Sequence, residues 1–302
     1  MTVLRLAGLN RVGMAARIPS FDTVYFLRLA GILAGMLMAL PLQAREAPAE
    51  ARIELSVLEA DWGAADAGEV QAVLSGVAAE LLALFPDHPA LRVQVAPTAE
   101  SPMVLFRRGS DGSHRVLLRA RDREWADYVY EFAHELGHIL TNYGRHAHDP
   151  GLARYQWFEE ALCDMVALHA LRRIAERAQA GALGPQLAAH AGAMREFADQ
   201  LLKAPHRASL HGADLSAWLR LHEPALRTDP YHRARNEEVA AHLLRIFERD
   251  PSGFSALAFV NASRAPAPRS FADYLAEWCD HTPASAQPVV REIIAAFGFQ
   301  AR

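Results

Sequence analysis

His134, Glu135 and His138 are the residues of this chain whose types and spacing spell out chemistry most directly. They form an HExxH motif inside an amphipathic run. Successive turns of a helix bring positions four apart onto one face, so both imidazoles can share one metal ion. Glu135 sits about 100° round the helix from His134. From there it is badly placed to ligate and well placed to take a proton from water. This is the arrangement that zinc-assisted hydrolysis needs.

The elements around the motif must position it. Trp125, Tyr128, Val129, Phe132, Leu136, Ile139 and Leu140 recur at helical spacing, which predicts a mostly buried helix with Asp122 capping its start and Gly144 its end. Histidines on a buried helix need partners, and a metal supplies one. Further on stand Trp157, Glu160 and Asp164, with 21 residues between His138 and Glu160. That is room for a turn and an antiparallel return helix. Glu160 then supplies a third, carboxylate ligand and leaves a fourth position open. Asp164, four residues on, shares its face and can accept from the non-ligating nitrogen of a metal histidine.

HExxH followed by W-x-x-E-x-x-x-D resembles the gluzincin metallopeptidases, the thermolysin-like and aminopeptidase-like clan of zincins. The resemblance implies zinc (Zn2+) held by His134, His138 and Glu160. It implies Glu135 as general base and Asp164 as the residue that orients a histidine. Glu159 competes for the ligand role, but the W-x-x-E register selects Glu160. A weaker likeness joins Pro230 and Tyr231, ahead of a helical run to about Glu248, to the P-Y-E-K-G segment of the aminopeptidase-like enzymes. It implies Tyr231 as hydrogen-bond donor to the oxyanion, a role that suits a neutral phenol. His232 and His211 are the alternative donors. No G-x-M-E-N motif occurs in residues 100–130, so aminopeptidase specificity is not supported.

Composition bounds the remaining classes. The 302 residues are 51% hydrophobic, enough for one large domain or two small ones. The net charge of −4 argues against a nucleic-acid surface. Arg5, Arg11, Arg17 and Arg28 form a basic start, Leu29 to Leu40 an apolar run, and Ala44 a cleavage site, so residues 1–44 read as a signal peptide. The run is short for a bilayer span. An uncleaved membrane anchor is the alternative. Export, to the periplasm or outside the cell, is the expectation. Cys163 and Cys279 then invite a disulfide, although the commoner fate of Cys163 is a small buried hydrophobe. His146 and His148 fall in a loop bounded by Gly and Pro and read as solvated.

Alternation at Ile53 to Val57, Leu91 to Val95, Met103 to Phe106 and Arg115 to Leu118 predicts strands, the last two joined by a turn at Gly109 to Gly112. Residues 68–84 read as an apolar-faced helix. The expected class is α+β. A small N-terminal sheet with a helix (residues 45–121) precedes a predominantly helical lobe (residues 122–302), zincin-like if the resemblance holds. In zincins a strand of such a sheet edges the cleft, where an extended peptide can add. The expected function is an exported zinc peptidase acting on peptide or protein substrates, with a metal-activated water and Glu135 as base. The competing classes are a non-catalytic zinc- or peptide-binding module on the same scaffold and a hydrolase of cell-wall peptide amides. Glu135 speaks against the module, because ligand geometry does not require it.

Overall fold

A computed structural model of the chain describes residues 53–300, apart from 211, 213, 264–267 and 269. The proposed signal segment and His211 therefore lie outside the described residues. Four strands form one mixed sheet: β1 (Ile53–Val57), β2 (Leu91–Pro97), β3 (Met103–Leu105) and β4 (His114–Leu118), in the order β1-β2-β4-β3. The first pairings are parallel, with Leu55 opposite Val93 and Val95 opposite Val116. Parallel neighbours need a crossover, and α1 (Ala67–Leu82) supplies the one between β1 and β2. Its start is fixed by a capping box between Asp66 and Glu69. β3 pairs antiparallel with β4, Val104 opposite Val116, which is the hairpin the turn residues predict. That leaves β3 at the sheet edge.

Every described element after the sheet is helical. α2 (Trp125–Leu140) carries HExxH and buries the expected stripe. α3 (Gln156–Gln179) is apolar on nearly every face and runs through the middle of the core. α4 (Gly184–Lys203), the short α5 (Pro205–Ala208), α6 (Leu215–Leu226), α7 (Arg233–Arg249), α8 (Phe271–His281) and α9 (Gln287–Ala296) complete the helical part. Three 3₁₀ segments join them, at Tyr143–Ala147, Pro150–Tyr155 and Pro251–Phe259. One hydrophobic core runs from the sheet into these helices. No described helix is long and apolar enough to cross a membrane.

Both expected caps of α2 are corrected. Glu124 is the N-cap and makes no side-chain capping bond. Asp122 adopts a left-handed conformation (φ 55°) and accepts from the Ala64 amide at 2.7 Å, tying the start of α2 to the loop before α1. Gly144 lies within a 3₁₀ turn. The chain reverses at Asn142 (φ 61°), whose amide donates to the Ala258 and Val260 carbonyls, both at 2.8 Å. Side-chain bonds to distant backbone thus replace local capping. Cys163 and Cys279 do not pair: both are free and buried, the commoner fate expected of Cys163.

Gly137, inside HExxH, sets how closely α2 and α3 approach. A Cβ there would stand 3.2 Å from Cys163 Sγ and 3.3 Å from Cys163 Cα. The second contact is with helix backbone, which has little room to yield. Gly137→Val should therefore destabilise the fold by about 1–3 kcal/mol in urea unfolding, the usual range for overpacking. Wild-type stability in that variant would mean the helices can separate freely.

Candidate metal centre

α2 and α3 cross so that their ionisable side chains meet. His134 Nε2 lies 3.3 Å from Glu160 Oε2, and His138 Nε2 lies 3.6 Å from the same oxygen. The two imidazole rings stand 5.0 Å apart, nearly edge to face. One ligand atom from each of His134, His138 and Glu160 falls within 4.8 Å of the others. The opposite ring nitrogens are engaged by carboxylates. His134 Nδ1 is 3.3 Å from Asp164 Oδ1, and His138 Nδ1 is 2.8 Å from Glu159 Oε1. A histidine whose Nδ1–H is held by a carboxylate presents a bare, basic Nε2, which is how metal-binding histidines are prepared. The donor set of two imidazoles and one carboxylate fits a zinc ion.

Electrostatics follow from the crowding. Burial pulls both histidines toward the neutral form, but their neighbours outweigh it. Asp164 and Glu160 around His134, and Cys163, Glu160 and Glu159 around His138, hold each ring well above its usual pKa. Burial pushes Glu160 up, yet the two histidines bring it far below the carboxylate range. Glu135 moves the other way. Burial raises its carboxyl and Glu160 adds to the shift, against the histidines and the Val104 amide. A carboxyl raised by burial is poised nearer to neutrality, where a general base works best. Val104 belongs to edge strand β3, so the strand's backbone lies at the proposed base.

Two parts of the site escape the sequence reading. The first surrounds Glu159, which contacts His138 Nδ1. Its other oxygen takes His146 Nε2 at 2.5 Å and Asn261 Nδ2 at 2.7 Å, and Tyr274 in turn donates to Asn261. His146 is thus buried in the site, against the expectation of a solvated loop residue; His148 is exposed. The available signal was the Glu159–Glu160 pair itself. Adjacent carboxylates on a buried helix cannot both face one ion, so the second needs its own partners. His138, Glu159 and Cys163 form a second close grouping. Hydrogen bonds already occupy Glu159, and burial raises the Cys163 thiol pKa, which disfavours thiolate ligation.

The second lies behind Asp164. Tyr130 donates to Asp164 at 2.8 Å, and Arg207 donates to the Tyr130 hydroxyl at 3.2 Å. Arg207 is almost fully buried and pairs with Glu237 of α7 at 3.1 Å, where His206 and Arg233 converge too. This network holds the carboxylate that holds His134.

Tyr231 is not within this cluster of contacts. It is exposed, and its hydroxyl accepts from Gln156 Nε2 at 2.7 Å. Gln156 is the first residue of α3, one helical turn before Glu160. His232 is exposed at the N-cap of α7. Among known proteins, no family model, curated protein or solved structure matches this chain.

The two carboxylates of α3 should separate by titration with zinc. Glu160→Ala is expected to abolish tight binding, whereas Glu159→Ala should weaken it about 10–100-fold by freeing His138. Full zinc retention in Glu160→Ala with loss in Glu159→Ala would reverse the two roles. Because the surrounding groups raise both imidazole pKa values in the metal-free site, zinc uptake should release protons, and more of them as the pH falls. Calorimetry in buffers of different ionisation enthalpy reads that number. Release of none would mean the rings were already neutral.

Proposed function

We propose that the chain is a zinc-dependent peptidase of the gluzincin kind on a zincin-like fold, exported as its N-terminal residues suggest. The observation that carries this reading is a buried Glu135 next to three converging ligands whose histidines are each backed by a carboxylate. A module that only bound zinc would need the ligands but not a raised, buried carboxyl beside them.

Zinc held by His134, His138 and Glu160 would supply a Lewis acid that polarises the scissile carbonyl and acidifies water. The residues of the chain then divide the work. Glu135 takes a proton from the attacking water and passes it to the leaving amine. Asp164 and Glu159 keep the imidazoles in the ligating tautomer. β3 is an edge strand among the described residues, so a peptide adding there as an extra strand would bring its backbone past Val104 and Glu135. Tyr231, tethered through Gln156 to the helix that carries Glu160, is the candidate donor to the developing oxyanion.

Digestion of a broad peptide library, with chelator and with zinc restored, tests the activity. Glu135→Gln should keep its zinc and its fold while losing nearly all hydrolysis; substantial residual turnover would remove Glu135 as base. Tyr231→Phe is expected to lower turnover roughly 10²–10³-fold with zinc content unchanged. Near-normal turnover would take the phenol out of the site and direct attention to His232 or His211.

A further inference from the structure

A cavity of about 1160 Å³ opens at one end of the sheet, beyond the last residue of β3. It is larger than most small-molecule pockets and suited to several residues of an extended chain. Phe106 forms part of its wall and is 54% exposed, unusual for so large an apolar side chain. The Phe106 ring stacks on Tyr143 at 5.5 Å, and the Tyr143 hydroxyl donates to the Leu105 carbonyl at 2.7 Å. Ile139, one residue past the second metal histidine, and Phe259 complete an apolar floor. The cavity therefore starts one residue past β3 and touches the HExxH helix at Ile139, one turn beyond Glu135; the three residues of the metal centre do not line it.

The position fixes what would enter it. The Val104 amide lies against Glu135, and Phe106 is two residues further along the strand, about 7 Å at the rise of a β-strand. A peptide paired with the edge of β3, its scissile bond at Glu135, carries the residues two or three positions away over Phe106 and into the cavity. The charges fix its chemistry. Arg108 and Arg145 line the cavity against a single carboxylate, Asp87. Arg145 is 3.9 Å from Asp149, while Arg108 is exposed at the rim and donates to the Gly112 carbonyl. His88 and His148 also face this space, and His114, its pKa brought down to about 4 by burial and by Arg108, stays neutral there.

We propose that this cavity is an extended subsite for one flank of a peptide substrate, and that it selects a large apolar side chain adjoining an acidic one. The inference rests on the peptidase reading for the word substrate, but the binding site it assigns can be tested without turnover.

The experiment uses the zinc-loaded full chain carrying Glu135→Gln and fluorescein-labelled decapeptides that place a Phe–Glu pair at each position in turn. A matching Phe–Lys set is the control. Anisotropy should show the best Phe–Glu peptides binding about tenfold more tightly than their Phe–Lys counterparts. Adding Arg108→Glu should reverse that order, and Phe106→Ser should weaken both sets. Both side chains are exposed, so neither change threatens the fold. Hydrogen exchange should show peptide-induced protection in residues 84–91 and 142–148. Equal binding of the two sets, an order unmoved by Arg108→Glu, or no binding at all would overturn the proposal. Unchanged protection of these two segments on adding peptide would overturn it too. Cleavage of the same peptides by the unsubstituted chain is a separate readout: binding in the cavity without cleavage keeps the peptide site and removes the peptidase.

Discussion

The structure depends on one costly act, the burial of two histidines and four carboxylates where α2 crosses α3. Isolated ionised groups in such a place would cost several kcal/mol each. They persist because every one has a partner on the other helix or behind it: His134 with Asp164 and Glu160, His138 with Glu159 and Glu160, Glu135 with the Val104 amide. Close approach of the helices is the condition for all these contacts, and it is met by a residue without a side chain, Gly137, facing Cys163. The absence of a Cβ inside the HExxH motif is thus part of the site, although glycine has no chemistry of its own.

Support for the centre comes from two directions, and they differ in kind. Behind Glu159 lie neutral donors and a histidine from segments that follow each helix: Asn261 after the last 3₁₀ turn, and His146 after α2. Behind Asp164 lies a charged chain through Tyr130 and Arg207 to Glu237. The second network commits α5 and α7 to the position of His134. Removing Arg207 would take the buried cation away from Tyr130 and Asp164, so the position of these helices is coupled to the centre.

Elements whose signal is local were legible in the sequence. The strands, α1, the β3–β4 turn and the apolar stripe of α2 follow from periodicity and turn residues alone, and the HExxH and E-x-x-x-D spacings already place four side chains on two helical faces. The failures share a cause. Asp122 and Gly144 look like caps by type and position, but each answers to a tertiary contact: Asp122 bonds to Ala64, and Asn142 takes over the turn by bonding near residue 260. His146 reads as a loop histidine because nothing nearby in the sequence announces Glu159 as its partner. Arg207 and Asn261 carry no motif. Their roles exist only once α5 and the segment after the 3₁₀ turn have packed against α3. Cys163 and Cys279 have the types for a disulfide, and only the packing keeps them apart.

The adjacency of Glu159 and Glu160 shows how spacing and burial together decode a site that neither resolves alone. Consecutive helix residues point about 100° apart, so α3 can present one carboxylate to the space between the imidazoles and must turn the other aside. The histidines impose the same division, because each ring has two nitrogens on opposite edges. Glu160, partly exposed, meets both Nε2 atoms; Glu159, fully buried, meets only His138 Nδ1. The more buried carboxylate is the worse placed to ligate, since three hydrogen bonds already engage it. The more exposed one keeps part of its side chain open to solvent. A one-residue shift of α3 would put Glu159 where Glu160 stands and carry Glu160 on to the fully buried position of Ala161. The fixed register of the α2–α3 crossing, more than the identity of any single ligand, therefore decides which glutamate can serve a metal.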